Sequence, residues 1–218
     1  MPTLDAGETL PTALAALAGV DLIREVIVAD GGSCDNTAAM ARAGGAHLVA
    51  APRGRGSQLA AGAAAARAPW LLFLHADCRL EPGWAAAARA FMAAPQAASR
   101  AGYFRLRLDA AGNAARRLER VVAWRCRVLG LPYGDQGLLI ARGLYDAVGG
   151  FAAIPLMEDV DLARRLGRCR LAPIACACLA SARRYDRHGY WRRPLRNLMC
   201  LSLYFAGVAP RHIARLYG

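Results

Sequence analysis

Three acidic features of the sequence follow apolar segments, and each could hold a cation or move a proton. Asp30 ends the run V-I-V-A-D and is followed by two glycines. Asp77 ends the run W-L-L-F-L-H-A-D, and Glu158 and Asp159 follow the loop F-A-A-I-P-L-M. In an open parallel sheet, ligands bind beyond the carboxyl ends of the strands. Each acid alone is equally well explained as a helix cap or a turn residue, but together they predict one shared site.

The segments that must position these acids alternate between strand-like and helix-like patterns. Apolar or alternating runs predict strands at 25–29, 47–50, 70–74, 103–108 and 137–141. Periodicity and capping residues predict helices at 9–18, 37–43, 58–66, 82–93, 114–129, 142–148, 160–166 and 195–205. This order predicts an α/β fold with a mostly parallel sheet, helices on its faces and a helical C-terminal segment.

The amino terminus has the pattern of a loop that should leave a strand. The segment P-T-L-D-A-G-E is preceded only by Met1. A parallel sheet without its first strand would have a central gap and unpaired backbone groups, which is costly. We therefore expect a truncated first strand and a native start several residues upstream.

Composition predicts a cytoplasmic protein with one sizeable core. The chain has 218 residues, no apolar run that would span a bilayer and no secretory signal at its start. Its seven cysteines are scattered, and we expect them to be reduced. All 28 basic residues are arginine, which is typical of GC-rich codon usage. The net charge of +12 would attract phosphates, anionic lipid or nucleic acid, and it selects none of them.

A series of motifs runs in order through nearly the whole chain. They are P-T-L-D-x-x-E, V-A-D-G-G-S-C-D-N-T, G-R-G-S-Q-L-A-A-G, F-L-H-A-D, Y-G-D-Q-G and M-E-D-V-D-L. The series resembles family 2 glycosyltransferases with the GT-A fold. More narrowly, it resembles the small bacterial branch labelled as arsenosugar-biosynthesis or radical-SAM/selenodomain-associated transferases. The resemblance implies a nucleotide-sugar transferase domain at 1–180 and a basic amphipathic segment at 181–218 that packs on it.

The resemblance also implies an inverting, metal-assisted transfer from a UDP- or GDP-sugar to an acceptor hydroxyl. Its nucleotide contacts would come from Thr3, Asp5, Glu8, Asp30, Gly31 and Gly32. Asp30 can accept a hydrogen bond from an N–H of the base, and the glycines let the backbone approach closely. Glu8 is equally well explained as an acid in the first turn of a helix.

The loop 52–58 has the composition of a phosphate or ribose clamp. It carries Arg53, Arg55 and Gln58 and leads into a predicted helix. A helix N-terminus and arginines both favour phosphate binding, although an arginine-bearing surface turn explains the loop too. The Gly-Lys-Ser/Thr sequence of a P-loop is absent.

Asp77 is the predicted metal ligand. A Mg²⁺ or Mn²⁺ ion shared with the diphosphate needs few protein ligands and would neutralise the charge of the leaving group as a Lewis acid. Family members usually carry a second acid two positions earlier, where this chain has His75. His75 would touch the metal or the sugar, or it is a packed histidine without a ligand.

Asp159 is the predicted general base. It would take the proton of the acceptor hydroxyl as that oxygen attacks the anomeric carbon opposite the leaving diphosphate, which predicts inversion. Glu158 would orient the acceptor or Asp159, and the sequence leaves open which acid is the base. Asp135 and Gln136, in the loop Y-G-D-Q-G, are predicted to bind sugar hydroxyls of donor or acceptor, with a plain turn as the alternative.

The arginine-rich tail has two functional interpretations. Arg183 or Arg184, with His188, would fold over the diphosphate and stabilise its charge. Alternatively, the segment that begins near Tyr190 would make a peripheral contact with the inner membrane face. A solvated basic cover for the core explains the same residues without either function.

Other protein classes account for parts of the sequence. A sugar-phosphate nucleotidyltransferase would need a G-x-G-T-R-type loop, and a dinucleotide dehydrogenase would need G-x-G-x-x-G after a strand; both motifs are absent. Charge alone suggests a nucleic-acid binder, and no helix-turn-helix, zinc or RNP pattern supports one. The remaining alternatives are a catalytically impaired nucleotide-sugar-binding module and, more weakly, the nucleotidyltransferase.

Overall fold

The computed structural model describes residues 1–182 and 192–217. The strands are β1 Pro2–Thr3, β2 Ile27–Asp30, β3 His47–Ala50, β4 Trp70–Phe73, β5 Cys78–Leu80, β6 Ala101–Leu108, β7 Leu138–Ala141 and β8 Leu171–Ala180. The helices are α1 Leu10–Ala15, α2 Thr37–Ala43, α3 Arg55–Ala65, α4 Trp84–Ala93, α5 Asn113–Leu129, α6 Arg142–Ala147, α7 Glu158–Leu166, α8 Arg192–Phe205 and α9 Pro210–Tyr217. Every predicted strand and helix has a counterpart among them.

The strands form two sheets. Strands β1, β2 and β3 are parallel neighbours, and the second sheet has the order β4-β7-β6-β8-β5. In the second sheet β6 and β8 are parallel, whereas β7 and β5 pair antiparallel with their neighbours. Helix α3 packs on β1 and β2, α4 on β8 and α5 on β6. The predicted α/β class with a parallel sheet and a helical C-terminal segment is confirmed; the antiparallel pairs come from short return strands that strand–helix alternation does not anticipate.

A cavity of about 280 Å³ separates β2 from β4. Strand β1, the edge strand of the first sheet, has only two residues and pairs with Ala29 and Asp30 of β2. It therefore does not extend along the rest of β2 to join the two sheets. The cavity is lined mainly by apolar side chains, including Ile27, Leu59 and Leu71. It lies where the sequence predicts a gap beside a short first strand.

The predicted acids lie at ends of strands or starts of helices. Asp30 is the last residue of β2, and Asp77 lies in the turn between β4 and β5. Helix α7 begins at Glu158, two residues before the predicted start, so Glu158 and Asp159 lie in its first turn. The helix is preceded by Met157 in a left-handed conformation with φ of 67°.

The C-terminal helices pack on one another and reach the rest of the fold. Helices α8 and α9 are in contact, and the Tyr204 hydroxyl donates to Asp161 of α7 at 3.3 Å. Of the helices in the described ranges, none combines the length and the apolar character that a membrane crossing requires.

Candidate active site

Acids from three separate loops line one pocket of about 90 Å³. Asp77 comes from the turn after β4, Asp135 from the 3₁₀ turn 134–136 and Asp159 from the start of α7. Arg55, from the first turn of α3, is the basic residue in the same wall, and His75 lies beside Asp77. The structure therefore brings together the predicted metal ligand, the predicted base and one arginine of the predicted clamp.

Two backbone amides hold the Asp159 carboxylate. The Gly134 N–H donates to Oδ2 at 2.9 Å and the Val160 N–H donates to Oδ1 at 2.7 Å. Gly134 also lies directly against the His75 ring, so that a Cβ at this position would collide with Nε2. A glycine is thus required for the loop to contact His75 and Asp159 at once.

Glu158 lies behind Asp159 and is buried to 1% exposure. Its Oε1 is 3.3 Å from Nε of Arg55, whose side chain is 38% exposed and lines the pocket. Burial and the neighbouring Asp159 carboxylate raise the pKa of Glu158 to about 7, and Arg55 only partly offsets this. Burial alone would lower the pKa of Arg55, but the carboxylates of Glu158 and Asp159 outweigh it and raise the pKa.

The start of α3 is fixed to the loop before α7 by a backbone contact. A Cβ on Gly56 would collide with the carbonyl oxygens of Ala152 and Ile154. Gly54 adopts a φ of 134°, which only glycine tolerates well, and packs near Pro155. These glycines let Arg55 reach Glu158.

The donor set of the pocket fits a hard divalent cation. Carboxylate oxygens are the ligands that Mg²⁺ and Mn²⁺ prefer, and such ions commonly keep waters and bind substrate phosphates. Asp77 and Asp135 supply carboxylates to the same pocket. In the described part of the chain, no three His, Cys, Asp or Glu side chains form a group that could hold a metal ion, so an ion in this pocket would take its remaining ligands from substrate phosphate and water.

The predicted nucleotide residues form a second, separate cluster. The Asp30 carboxylate accepts from the Thr3 hydroxyl at 3.0 Å, the Gly32 N–H at 3.1 Å and the Ser33 N–H at 2.9 Å. Burial alone would raise its pKa, but the hydrogen bonds, led by those from Ser33, outweigh burial and lower it. Both oxygens of Asp30 are therefore already used within the loop.

Asp5 belongs to the same cluster, and Glu8 is at its margin. The Asp5 carboxylate accepts from the Cys34 N–H at 2.8 Å, and its own N–H donates to Ser33 Oγ at 2.9 Å. Glu8 is exposed and lies just before α1. Asp5 thus links the first loop to the loop after β2.

The start of α3 connects the two clusters. A Cβ on Gly31 would lie 2.8 Å from Nε2 of Gln58 and 3.5 Å from Cα of Arg53, so Gly31 permits the close approach of this loop. Arg53 is exposed beside the Asp30 cluster, whereas Arg55 faces the acidic pocket. The two arginines of the predicted clamp thus reach different clusters.

Two predicted ligand residues are used inside the fold instead. Gln58 is buried, and its amide nitrogen donates to the backbone oxygens of Thr3 and Ala29. Gln136 is 1% exposed; its amide donates to Phe104 O, and its oxygen accepts from Arg125. Both glutamines are buried and hydrogen-bonded within the protein, so in this structure they stabilise the fold. Neither side chain is exposed to a sugar or a nucleotide.

Several pocket residues were not among the predicted site residues, although Tyr133 belongs to the motif Y-G-D-Q-G. Tyr133, Ser181, Asn197 and Tyr217 line the pocket with the acids. The Arg125 guanidinium stacks on Tyr133 at 3.4 Å from the ring centroid, which fixes that wall. Asn197 and Tyr217 come from α8 and α9, so the C-terminal helices contribute to the site. The predicted diphosphate residues Arg183, Arg184 and His188 lie outside the described residues.

Comparisons with known proteins agree with this architecture. A sequence model of "Glycosyl transferase family 2" matches residues 1–155. Glucosyl-3-phosphoglycerate synthase from Mycobacterium tuberculosis, in complex with Mn²⁺, UDP and glucosyl-3-phosphoglycerate, is similar with a TM-score of 0.57 at 20% identity. That alignment covers 83% of this chain and 68% of the synthase.

Other solved structures give the same result. The synthase bound to Mn²⁺, UDP-glucose and phosphoglyceric acid has a TM-score of 0.58 at 19% identity, with 83% and 68% of the two chains covered. A crystal structure of a mycobacterial protein has a TM-score of 0.55 at 22% identity, and the alignment covers 83% of this chain and 63% of that protein. Among curated protein sequences no significant match is found. The match over residues 1–155, with a shared GT-A-like fold, means that this chain belongs to glycosyl transferase family 2.

Proposed function

We propose that this protein is an inverting glycosyltransferase that moves a sugar from a nucleotide-diphosphate sugar to an acceptor hydroxyl with the help of a divalent metal. The observation that carries the proposal is the pocket in which Asp77, Asp159 and Arg55 meet from distant parts of the chain. Family membership supports glycosyl transfer. The direction of attack, the base and the substrates are the proposal.

The donor would lie across the two clusters, with its nucleotide near Asp30 and its diphosphate at the acidic pocket. Arg53 is available to the nucleotide side, and Arg55 to the diphosphate side. Asp77 would hold a Mg²⁺ or Mn²⁺ ion together with diphosphate oxygens. When bound, the ion supplies Lewis-acid neutralisation of the leaving diphosphate. Solved relatives bound to Mn²⁺ with UDP or UDP-glucose make UDP-sugars the first donors to test.

Asp159 is the better candidate for the general base of the two neighbouring acids. Its carboxylate lines the pocket and is oriented by the Gly134 and Val160 amides, whereas Glu158 is buried behind it. An acceptor hydroxyl between Asp159 and the anomeric carbon would lose its proton to Asp159 as its oxygen attacks. Attack from the face opposite the diphosphate inverts the anomeric centre. Glu158 and Arg55 would position Asp159 and the diphosphate.

The narrower predictions from the motif series also stand as proposals. They are membership of the arsenosugar-biosynthesis or radical-SAM/selenodomain-associated branch, hexosyl transfer, a cytoplasmic location and a peripheral contact of 181–218 with the inner membrane face. The division into 1–180 and 181–218 belongs with them; Asn197 and Tyr217 in the pocket support a C-terminal segment that packs on the transferase domain.

A donor screen with a matched pair of variants tests the proposed function. UDP- and GDP-sugars are assayed for hydrolysis and transfer with and without Mn²⁺, using the wild type, Asp77→Asn and Asp146→Asn. Asp146 is an exposed acid of α6 outside the pocket and serves as the control. We expect metal-dependent nucleotide binding in the wild type and in Asp146→Asn, and its loss in Asp77→Asn. Equal binding and transfer in all three proteins would contradict the proposal, and donor binding without hydrolysis or transfer would favour an impaired binding module.

A further inference from the structure

Exposed large hydrophobic side chains are concentrated on three helices in the part of the chain that the structure describes. In the ranges that the structure describes, nine large hydrophobic side chains are exposed, namely Val121, Trp124, Val128, Leu129, Leu195, Leu198, Met199, Phe205 and Leu216. All of them lie on α5, α8 or α9. Single exposed hydrophobic residues are normal on a soluble protein, but their concentration on a few helices marks an interaction surface.

Helix α5 buries one face and leaves an apolar stripe on the opposite one. Its buried residues include Val122 and Cys126. Val121, Trp124 and Val128 are spaced three and four residues apart, so they follow one line along the outer face. Trp124 is 58% exposed and Val121 is 59% exposed. We refer to these three residues as the α5 stripe.

Arginines lie next to the stripe, and acids are absent from its face. Arg117 is exposed one turn before Val121, in line with the stripe, and Arg120 and Arg127 are exposed along one side of it. The one acid of α5 is Glu119, which accepts from the Leu108 N–H at 2.9 Å and pairs with Arg116, so its charge is used against the body of the protein. The outer face of α5 is therefore apolar along the stripe and positively charged at the start of the stripe and along one side of it.

This combination of features fits an anionic lipid surface. Arginines contact headgroups while Trp and Val side chains enter the boundary between headgroups and acyl chains. A second copy packed on the stripe would bring two sets of like-charged arginines together without an acid to pair them, and a nucleic acid would leave the exposed Trp and Val side chains without partners. Charge complementarity thus favours the membrane.

We propose that the outer face of α5, formed by the α5 stripe with Arg117, Arg120 and Arg127, docks this protein on an anionic lipid bilayer. None of these six residues belongs to the C-terminal segment or lines the pocket. Binding is measured without a sugar donor, so its outcome is independent of whether the proposed transferase activity exists.

Vesicle binding of the full chain tests the docking surface. Sedimentation is compared for phosphatidylcholine vesicles and for vesicles that also contain phosphatidylglycerol. We expect binding only to the anionic vesicles, weakened by salt. The triple variant Arg117→Gln/Arg120→Gln/Arg127→Gln should lower the partition coefficient about a hundredfold, because each arginine near an anionic surface contributes a factor of about five. Trp124→Gln should lower it about tenfold through the loss of a buried aromatic side chain.

The matched control changes the same charge elsewhere on the surface. Arg42→Gln/Arg67→Gln/Arg100→Gln removes three exposed arginines that lie outside α5, α8 and α9, and it should weaken binding by less than about fivefold. Equal weakening by the two triple variants would overturn a specific α5 surface. So would wild-type failure to bind anionic vesicles, or a stable dimer that Trp124→Gln dissociates.

A second readout does not depend on overall affinity. The chain has four tryptophans, so the emission of Trp124 is obtained as the difference between the wild type and Trp124→Phe. We expect lipids with brominated acyl chains to quench this difference signal on anionic vesicles. If the protein binds the vesicles and the Trp124 emission is not quenched, the membrane contact lies in another part of the chain and the proposal is overturned. Unchanged circular dichroism and melting temperature verify that these exposed substitutions leave the fold intact.

Discussion

Asp30, at the end of β2, and Asp35, in the segment after β2, are held in the opposite way to Glu158, which lies behind the acidic pocket. Asp30 accepts hydrogen bonds from Thr3, Gly32 and Ser33, and Asp35 accepts from the Gly7 and Thr37 amides at 2.9 Å each. The pKa of each is lowered, for Asp35 by hydrogen bonds led by that from Thr37, and for Asp30 by hydrogen bonds that outweigh burial. Glu158 is instead buried beside Asp159, and its pKa is raised to about 7.

This difference determines which acids can still act on a ligand. A carboxylate with two donors on each oxygen, such as Asp30, holds two segments together and is already stabilised as an anion. Asp159 has one donor on each oxygen and still faces the pocket. A carboxylate that lies close to other carboxylates and pairs with one arginine is stabilised when a cation or a proton binds. The carboxylate of Asp30 is therefore already hydrogen-bonded within the protein, and a nucleobase that contacts it must share one of its oxygens. The pocket, in contrast, has carboxylates that a metal-bound diphosphate could still engage.

The largest effect is expected at the acid that faces the pocket. Asp159→Asn keeps the shape of the side chain but removes proton acceptance, so kcat should fall about a thousandfold while donor affinity stays within threefold, as expected for loss of a general base. Steady-state transfer kinetics and calorimetric donor binding measure the two quantities. Asp161→Asn on the same helix is the control, because Asp161 is paired with Arg165 and Tyr204. A kcat unchanged by Asp159→Asn would remove the distinction between the two clusters.

The next effect tests the element that joins the clusters. Gly56→Ala would force a Cβ against the carbonyl oxygens of Ala152 and Ile154, so we expect the free energy of unfolding to fall by about 3 kcal/mol. Chemical denaturation measures it. Gly143→Ala in α6 is the matched control, since its Cβ meets no atom within 4 Å and alanine favours a helix. Equal stability of the two variants would mean that the loop before α7 is not held by the start of α3.

The fold was largely predictable because apolar periodicity is a local property. Helix 37–43 and strand 47–50 have the bounds that the sequence predicts. Strand β8 carries no such pattern, because its sequence L-A-P-I-A-C-A-C-L-A has alanine and cysteine where strands favour branched and aromatic side chains. The short strand β5 follows Asp77 so closely that the sequence presents it as part of a loop.

The site was predictable only where strand ends and motifs mark it. The shared location of Asp77 and Asp159 is predictable because each ends or follows an apolar segment. The burial of Gln136 is not predictable, because the sequence does not distinguish an exposed loop amide from one buried against Arg125. Asn197 and Tyr217 were missed because their position depends on how α8 and α9 pack, which is a tertiary property.

A pH titration separates the two kinds of acid. The folded pKa of Glu158 is about 7 against 4.5 in the unfolded chain, so the folded state binds more protons in this window and stability falls as pH rises from about 4.5 to about 7. Glu158→Gln cannot ionise, so its stability relative to the wild type should rise across that window by at most about 3 kcal/mol. Denaturation without metal or donor measures it. A difference that is flat with pH would show that Glu158 is not the crowded acid described above.

The smallest effect is expected at Asp30, and its pH dependence has the opposite sign. The folded pKa of Asp30 is lowered, so its contribution to stability is present above the unfolded value of 3.8 and is lost as pH falls through the folded pKa. Asp30→Ala removes the acceptor of the Thr3, Gly32 and Ser33 hydrogen bonds, at a cost of about 1.5 kcal/mol near pH 7 because water replaces part of them. The deficit should shrink in acid, where the wild-type carboxylate is protonated. If the deficit grows in acid instead, the fold destabilises the Asp30 anion as it does that of Glu158. The oxygens of Asp30 would then be available to a nucleotide.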